Sequence, residues 1–351
     1  MTEGLSLENI SEASRVIDPV FLHTPQFLDP ALSRRVGAST LVKVETLNPI
    51  RSFKGRGADY YMRGVPSGQQ VICGSAGNFG QALAYAARSR GIGVRVFAAT
   101  NASPVKVRRM RELGAQVTLT GEDFDAAKSA ARQYARQRPD CVFAEDGAES
   151  RIAEGAGSIA VELAVLEPGT VLVPVGNGAL IGGIARWIKA HSPGTRVVGA
   201  CAAAAPAMAY SWQAGTPTPT ATAHTIADGI AVRQPVPAAV DWMRGHVDDF
   251  ELVSEERIAE AQRAARDTLG LVLEPAGAIA IAAAIQHPPS HPPVAVIITG
   301  SNISTRQVAS RARPKQTSRV AGTPTAGGRP AVQPGVRSCW VSTFRTPPRR
   351  Q

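Results

Sequence analysis

No apolar run in the 351 residues approaches the roughly 18 needed to cross a bilayer. The first ten residues also lack the charged-then-apolar pattern of a secretory leader, so a cytoplasmic protein is expected. Cysteine is scarce. Cys73, Cys141, Cys201 and Cys339 form no C-x-x-C pair, which argues against a zinc ribbon and against a disulfide framework. Of six histidines, His287 and His291 are four apart, but the prolines around them forbid the helix that would align them, and no metal site is expected. Aromatic residues make up only 5% and charged residues 19%, against 44% hydrophobic, which is the composition of an ordinary globular chain rather than a disordered or fibrous one.

Acidic residues are absent from the last stretch. From Arg311 onward there are nine basic residues and none acidic, so of the net +10 only +1 belongs to residues 1–310. Rich in Arg, Pro, Gly, Ser and Thr and without periodicity, residues 311–351 read as a disordered basic tail. Nucleic acid is not an expected partner, beyond weak contact through that tail.

Between these limits, short β-branched runs alternate with helical ones. Strands are expected at 70–73, 94–97, 116–119, 171–175, 196–199 and 294–298. Helices are expected near 81–90, from 104, and over 123–137, 159–166, 180–191, 255–269 and 276–285. Alternation of this kind gives parallel sheets covered by helices, an α/β protein.

In such sheets ligands bind where strands run into helix N-termini. Gly176-Asn177-Gly178-Ala179-Leu180 follows a strand, but Ile181 takes the third glycine position of a dinucleotide fingerprint and no acidic residue ends the next strand. A generic phosphate loop or a plain tight turn remains. Cys73-Gly74-Ser75-Ala76-Gly77 resembles a nucleophile elbow only in part, since its first glycine is missing and no histidine is placed as a base. Ser75 to Gly80 can instead be an anion loop. Lys54, between Phe53 and Gly55 at a helix start, is either solvated or, if partly buried, an amine able to form an imine.

Taken in order, these segments resemble the fold type II pyridoxal-phosphate enzymes, in the branch of serine/threonine dehydratases (threonine ammonia-lyases) and serine racemases. The resemblance spans roughly residues 15–310 and rests on Ser52-Phe53-Lys54-Gly55-Arg56-Gly57-Ala58, Ser75-Ala76-Gly77-Asn78, Gly176 to Leu180, Thr225 to Gly229, Glu274 to Ala278 and Thr299. It implies a tryptophan synthase β-like architecture of two three-layer α/β/α domains with the cofactor between them. Residues 1–67 and 147–310 would form the large cofactor-binding domain and 68–146 the small substrate-loop domain.

By the same resemblance, pyridoxal 5'-phosphate is bound by Phe53, Lys54, Asn78, Gly176, Asn177, Gly178, Ala179, Leu180 and Thr299, with Lys54 as catalytic residue and covalent anchor. Ser75, Ala76, Gly77 and Asn78 hold the substrate carboxylate. The implied reaction is β-elimination from a hydroxy-amino acid such as L-threonine or L-serine, giving a 2-oxo acid and ammonia, with the cofactor phosphate protonating the leaving hydroxyl. A sister lyase, synthase or racemase is the alternative, and a homodimer or homo-oligomer the expected assembly.

This chain departs from the family pattern at Ile50-Arg51, at Phe79 in place of a histidine, and in its Gly-Asn-Gly-Ala loop. Racemases of this branch place a serine where Ala76 stands, so elimination is favoured. Arg51 is expected either to pair with a local carboxylate such as Glu45 or to reach the substrate.

Overall fold

The computed structural model describes residues 4–75 and 77–303. Short polar side chains open its first helices. Ser6 accepts from Asn9 N ahead of α1 (Leu7–Val16), and Asp29 accepts from Leu32 N ahead of α2 (Pro30–Val36). Around α2 run β1 (Gln26–Leu28) and β2 (Thr40–Val44). Then come α3 (Lys54–Met62), β3 (Gln70–Gly74), α4 (Asn78–Arg88), β4 (Gly93–Ala98), α5 (Pro104–Glu112), β5 (Gln116–Leu119), α6 (Phe124–Arg136) and β6 (Cys141–Phe143). The chain continues through α7 (Ser150–Leu163), β7 (Thr170–Pro174), α8 (Ala179–His191), β8 (Arg196–Ala202), α9 (Ala207–Ala214) and α10 (Pro237–Met243). It closes with β9 (Asp249–Val253), α11 (Glu255–Leu269), α12 (Pro275–Gln286) and β10 (Val294–Ile298).

The strands form two sheets, and the α/β class read from the sequence is the one adopted. One sheet is four-stranded and wholly parallel, ordered β5-β4-β3-β6. The other is six-stranded, ordered β1-β2-β10-β7-β8-β9, and parallel except at the β1–β2 edge. Every residue of β2, β7 and β10 is buried, as befits parallel strands with helices on both faces. The Ala-rich α12 is buried along nearly its whole length beside these strands, its small side chains allowing close approach.

α7 positions two functional helices at once. A Cβ added at its Gly155 would lie 2.8 Å from the Arg56 carbonyl oxygen of α3, and one at its Gly157 would lie 2.9 Å from the Gly183 carbonyl oxygen of α8. Only glycine permits that approach. The sequence reading began this helix near 159, nine residues late, because these packing glycines interrupt its apolar pattern.

Candidate active site

The carboxyl ends of β3, β6, β7 and β10 border one cavity of about 310 Å³. Helices begin there too. Lys54, Asn78, Phe124 and Ala179 are the first residues of α3, α4, α6 and α8, Lys106 lies in the first turn of α5, and Glu274 precedes α12; all of them line the wall. Each helix start carries partial positive charge, so the cavity suits a ligand with anionic groups.

Phe53, Lys54, Ser75, Gly77, Asn78, Gly176, Asn177, Gly178, Ala179, Leu180 and Thr299 all line this cavity. Ala76, also a candidate, lies outside the described residues. Lys54 and Thr299 are brought together by backbone contacts: Phe53 N donates to Thr299 O at 3.1 Å, and Ser52 bridges to Gly300. The Thr299 hydroxyl is buried and donates to Ala276 O at 3.4 Å.

The Ser75 hydroxyl has an internal task. It accepts from Gly77 N at 3.2 Å and Gly80 N at 3.0 Å, which ties the loop to the start of α4. Phe79 is buried on the cavity wall and makes it apolar. In the glycine loop no side chain caps α8; its N-cap Gly178 has φ of 89°, and a Cβ there would meet that of Ala239 at 2.7 Å.

Several contacts within the site, and the residues Asp146 and Lys106, escaped the sequence reading. The Lys54 amine is 2.5 Å from Asp146 Oδ2. Lys106 pairs with Asp228 at 2.5 Å. Asn78 Nδ2 donates to Glu274 Oε1 at 2.6 Å, while Asn302 Nδ2 donates to Asn78 Oδ1 at 2.9 Å and to Ile50 O at 2.8 Å. Burial pushes Glu274 up to about 7 against the pull of Lys106, and its Oε2 has no partner. Glu274 was legible only as part of a motif. Asp146 could have been found as an acid just beyond a strand end, had the three-residue β6 been recognised.

Behind Lys54 on α3 sits a closed charge cluster. The buried Arg56 contacts Glu45 at 2.8 Å through Nε and Glu162 at 2.7 Å through Nη1; Nη1 also donates to Ser158 and Nη2 to Thr24. Lys43 donates to Glu162 and to Thr24 O. For Glu162, burial alone would raise the carboxyl, but the hydrogen bonds and charges of Arg56 and Lys43 win and bring it down to about 2. The Glu45 pairing and the reach to substrate expected of Arg51 are corrected here, while the alternative that placed it away from the site agrees with the structure. Glu45 is committed to Arg56, and Arg51 is exposed with φ of 52°, in a shallow surface groove with Leu47 and Val272 rather than in the cavity.

Residues 17–300 match the family model described as "Pyridoxal-phosphate dependent enzyme". The chain is similar to an L-threonine ammonia-lyase of Thermotoga maritima, 32% identical over 87% of this chain and 77% of that one. It is also similar to an L-threonine ammonia-lyase of Geobacter sulfurreducens, 37% identical over 72% of this chain and 63% of that one. Among solved structures it resembles maize serine racemase, with a TM-score of 0.82 and 26% identity, covering 88% of this chain and 97% of that one. Among the described residues no helix is long and apolar enough to cross a membrane.

Proposed function

Because the chain belongs to the family of pyridoxal-phosphate dependent enzymes, we propose that it eliminates water from a small hydroxy-amino acid of the serine and threonine class, giving a 2-oxo acid and ammonia. The observation that carries this reading is a lysine amine inside a cavity whose wall includes an uncapped, glycine-bearing helix start. The cradle fits the phosphate. A Cβ at Gly176 would come within 3.1 Å of Gly229 O, and the first amides of α8 lie beside a wall free of a capping side chain.

The bound cofactor would supply an electron sink for the charge left at Cα when its proton is removed. The protein does the rest. Lys54 anchors the cofactor and, once displaced by substrate, takes the Cα proton through Nζ. The loop that leads from Ser75 into the first turn of α4 would hold the substrate carboxylate at that helix start. Asn78 keeps a second amide hydrogen for an acceptor in the cavity, since one goes to Glu274 and its oxygen is taken by Asn302. Thr299 offers a neutral hydroxyl, which does not stabilise a protonated ring nitrogen as a carboxylate would, and so favours elimination over transamination.

The likeness to maize serine racemase keeps racemisation as the second reading. The test is a screen of L-serine, L-threonine, 3-hydroxyaspartate and phenylserine for 2-oxo acid release and D-isomer formation, with borohydride reduction and peptide mapping of the holoenzyme. Label on Lys54 with 2-oxo acid and little D-isomer is expected, and Lys54→Ala should lose both label and turnover. Label on another lysine, or accumulating D-isomer, overturns the assignment. Sedimentation of the same preparation tests the expected homo-oligomer.

A further inference from the structure

Asp146 has a feature the closed cluster around Arg56 does not share. One of its oxygens, Oδ2, holds the Lys54 amine at 2.5 Å, while Oδ1 is buried without a partner in a residue that lines the cavity. The two side chains are 9% and 15% exposed, so water does little to satisfy either. The position is fixed from behind. Gly147, with φ of 91°, packs so closely on the glycine loop that a Cβ there would lie 2.3 Å from Asn177 O. Asp146 is thereby held between the Lys54 amine and the loop that opens α8. A buried oxygen left bare costs about 1–3 kcal/mol, so its retention beside a reactive amine calls for a use.

We propose that Asp146 is a catalytic residue, the acid that protonates the departing β-hydroxyl; the inference rests on the elimination reading above. Lys54 Nζ takes the Cα proton, so the Cα–H bond breaks and an N–H bond forms. That proton passes from Lys54 to Asp146 across their contact and from Asp146 to the β-oxygen. The Cβ–O bond breaks with its electron pair leaving on oxygen as water, and the pair left at Cα closes the Cα–Cβ double bond. No outside oxidant, reductant or acid is needed. The cofactor phosphate, the donor implied by family resemblance, is relieved of that task.

The experiment compares leaving groups. Asp146→Asn keeps shape and removes the acid, and β-chloroalanine offers chloride, which departs without a proton. With L-serine or L-threonine kcat should fall about a hundredfold or more at nearly unchanged KM, as for loss of a general acid. With β-chloroalanine the loss should stay within about threefold. Exchange of the Cα hydrogen in D2O, followed by NMR, should continue near the wild-type rate, and borohydride should still label Lys54 fully. Asp146→Glu, which keeps the acid, should recover part of the hydroxyl elimination.

Equal losses on both substrates, or loss of the Lys54 label, overturn the role of Asp146 and leave the dehydratase reading standing. A wild type that releases chloride but eliminates no hydroxyl overturns both. Where the asparagine variant does not fold, Asp146→Ser is put through the same comparison and judged by the same outcomes.

Discussion

Two groups of buried charge lie a few residues apart on and around α3, and they are finished differently. Around Arg56, all three guanidinium nitrogens and the carboxylates of Glu45 and Glu162 are engaged. Around Lys54, Asp146 and Glu274 each keep a bare buried oxygen. Closed charge fixes a helix in place, whereas open charge is kept for something that arrives. The first group belongs to the fold and the second to the chemistry.

Removing the centre of the closed group should have the largest effect. Arg56→Met leaves Glu45 and Glu162 with Lys43 as their one remaining shared cation, and losing one partner of a buried pair costs about 3–5 kcal/mol. Urea unfolding should register that loss, or the variant should be insoluble. An unfolding midpoint within error of wild type would mean that the two groups do not differ as described.

The two groups should also have opposite pH slopes. Glu162 sits below its unfolded value, so its contribution is complete above about 4.5 and is lost as pH falls towards about 2. Glu274 sits above its unfolded value, so its charge costs nothing below about 4.5 and progressively more as pH rises to about 7. Glu162→Gln should therefore flatten the acid limb of the cofactor-free protein. Glu274→Gln should relieve a penalty on the order of 3 kcal/mol at pH 8 and little at pH 4. Unfolding free energies across that range check both, and parallel profiles for wild type and Glu274→Gln would remove Glu274 from the open group.

Smaller effects sharpen the boundary of the site. Asn302→Ala removes the donor to Asn78 Oδ1 and Ile50 O. At about 1 kcal/mol per hydrogen bond, half-saturation by cofactor should need several-fold to tenfold more of it, read by fluorescence titration. Arg51→Gly should change the kcat/KM ratios among serine, threonine, 3-hydroxyaspartate and phenylserine by less than about twofold, because Arg51 faces the outer groove. It should raise stability by a few tenths to about 1 kcal/mol, since glycine adopts its positive φ without strain.

The long, strongly patterned elements were legible in the sequence. β3, β4, β5, β7, β8 and β10 and the helices from α4 to α6, α8, α11 and α12 fall within a few residues of expectation. What escaped was short or charged. β6 has three residues, and β2 and β9 carry Lys43, Asp249 and Glu251 inside strands, which hides the apolar run. In the site, residues on glycine turns announced themselves through local spacing. Asp146 did not, and Asn302 did so only as the end of the turn after β10; their partners Lys54 and Asn78 are 92 and 224 positions away, and no local pattern encodes such a pairing.

The return of the chain at Ser301 and Asn302 has a practical reading for proteolysis and truncation. Ser301 N donates to Arg51 O at 3.0 Å, and Asn302 reaches Ile50 and Asn78, so the segment that leaves β10 also buttresses the start of α3. A cut after residue 310 would spare every one of these bonds. A cut after residue 300, ten positions earlier, would keep both sheets intact and yet slacken the support behind the reactive lysine. Proteolysis before Ser301 would thus leave a folded protein with a weaker grip on its cofactor, whereas a cut beyond Asn302 would leave these bonds in place.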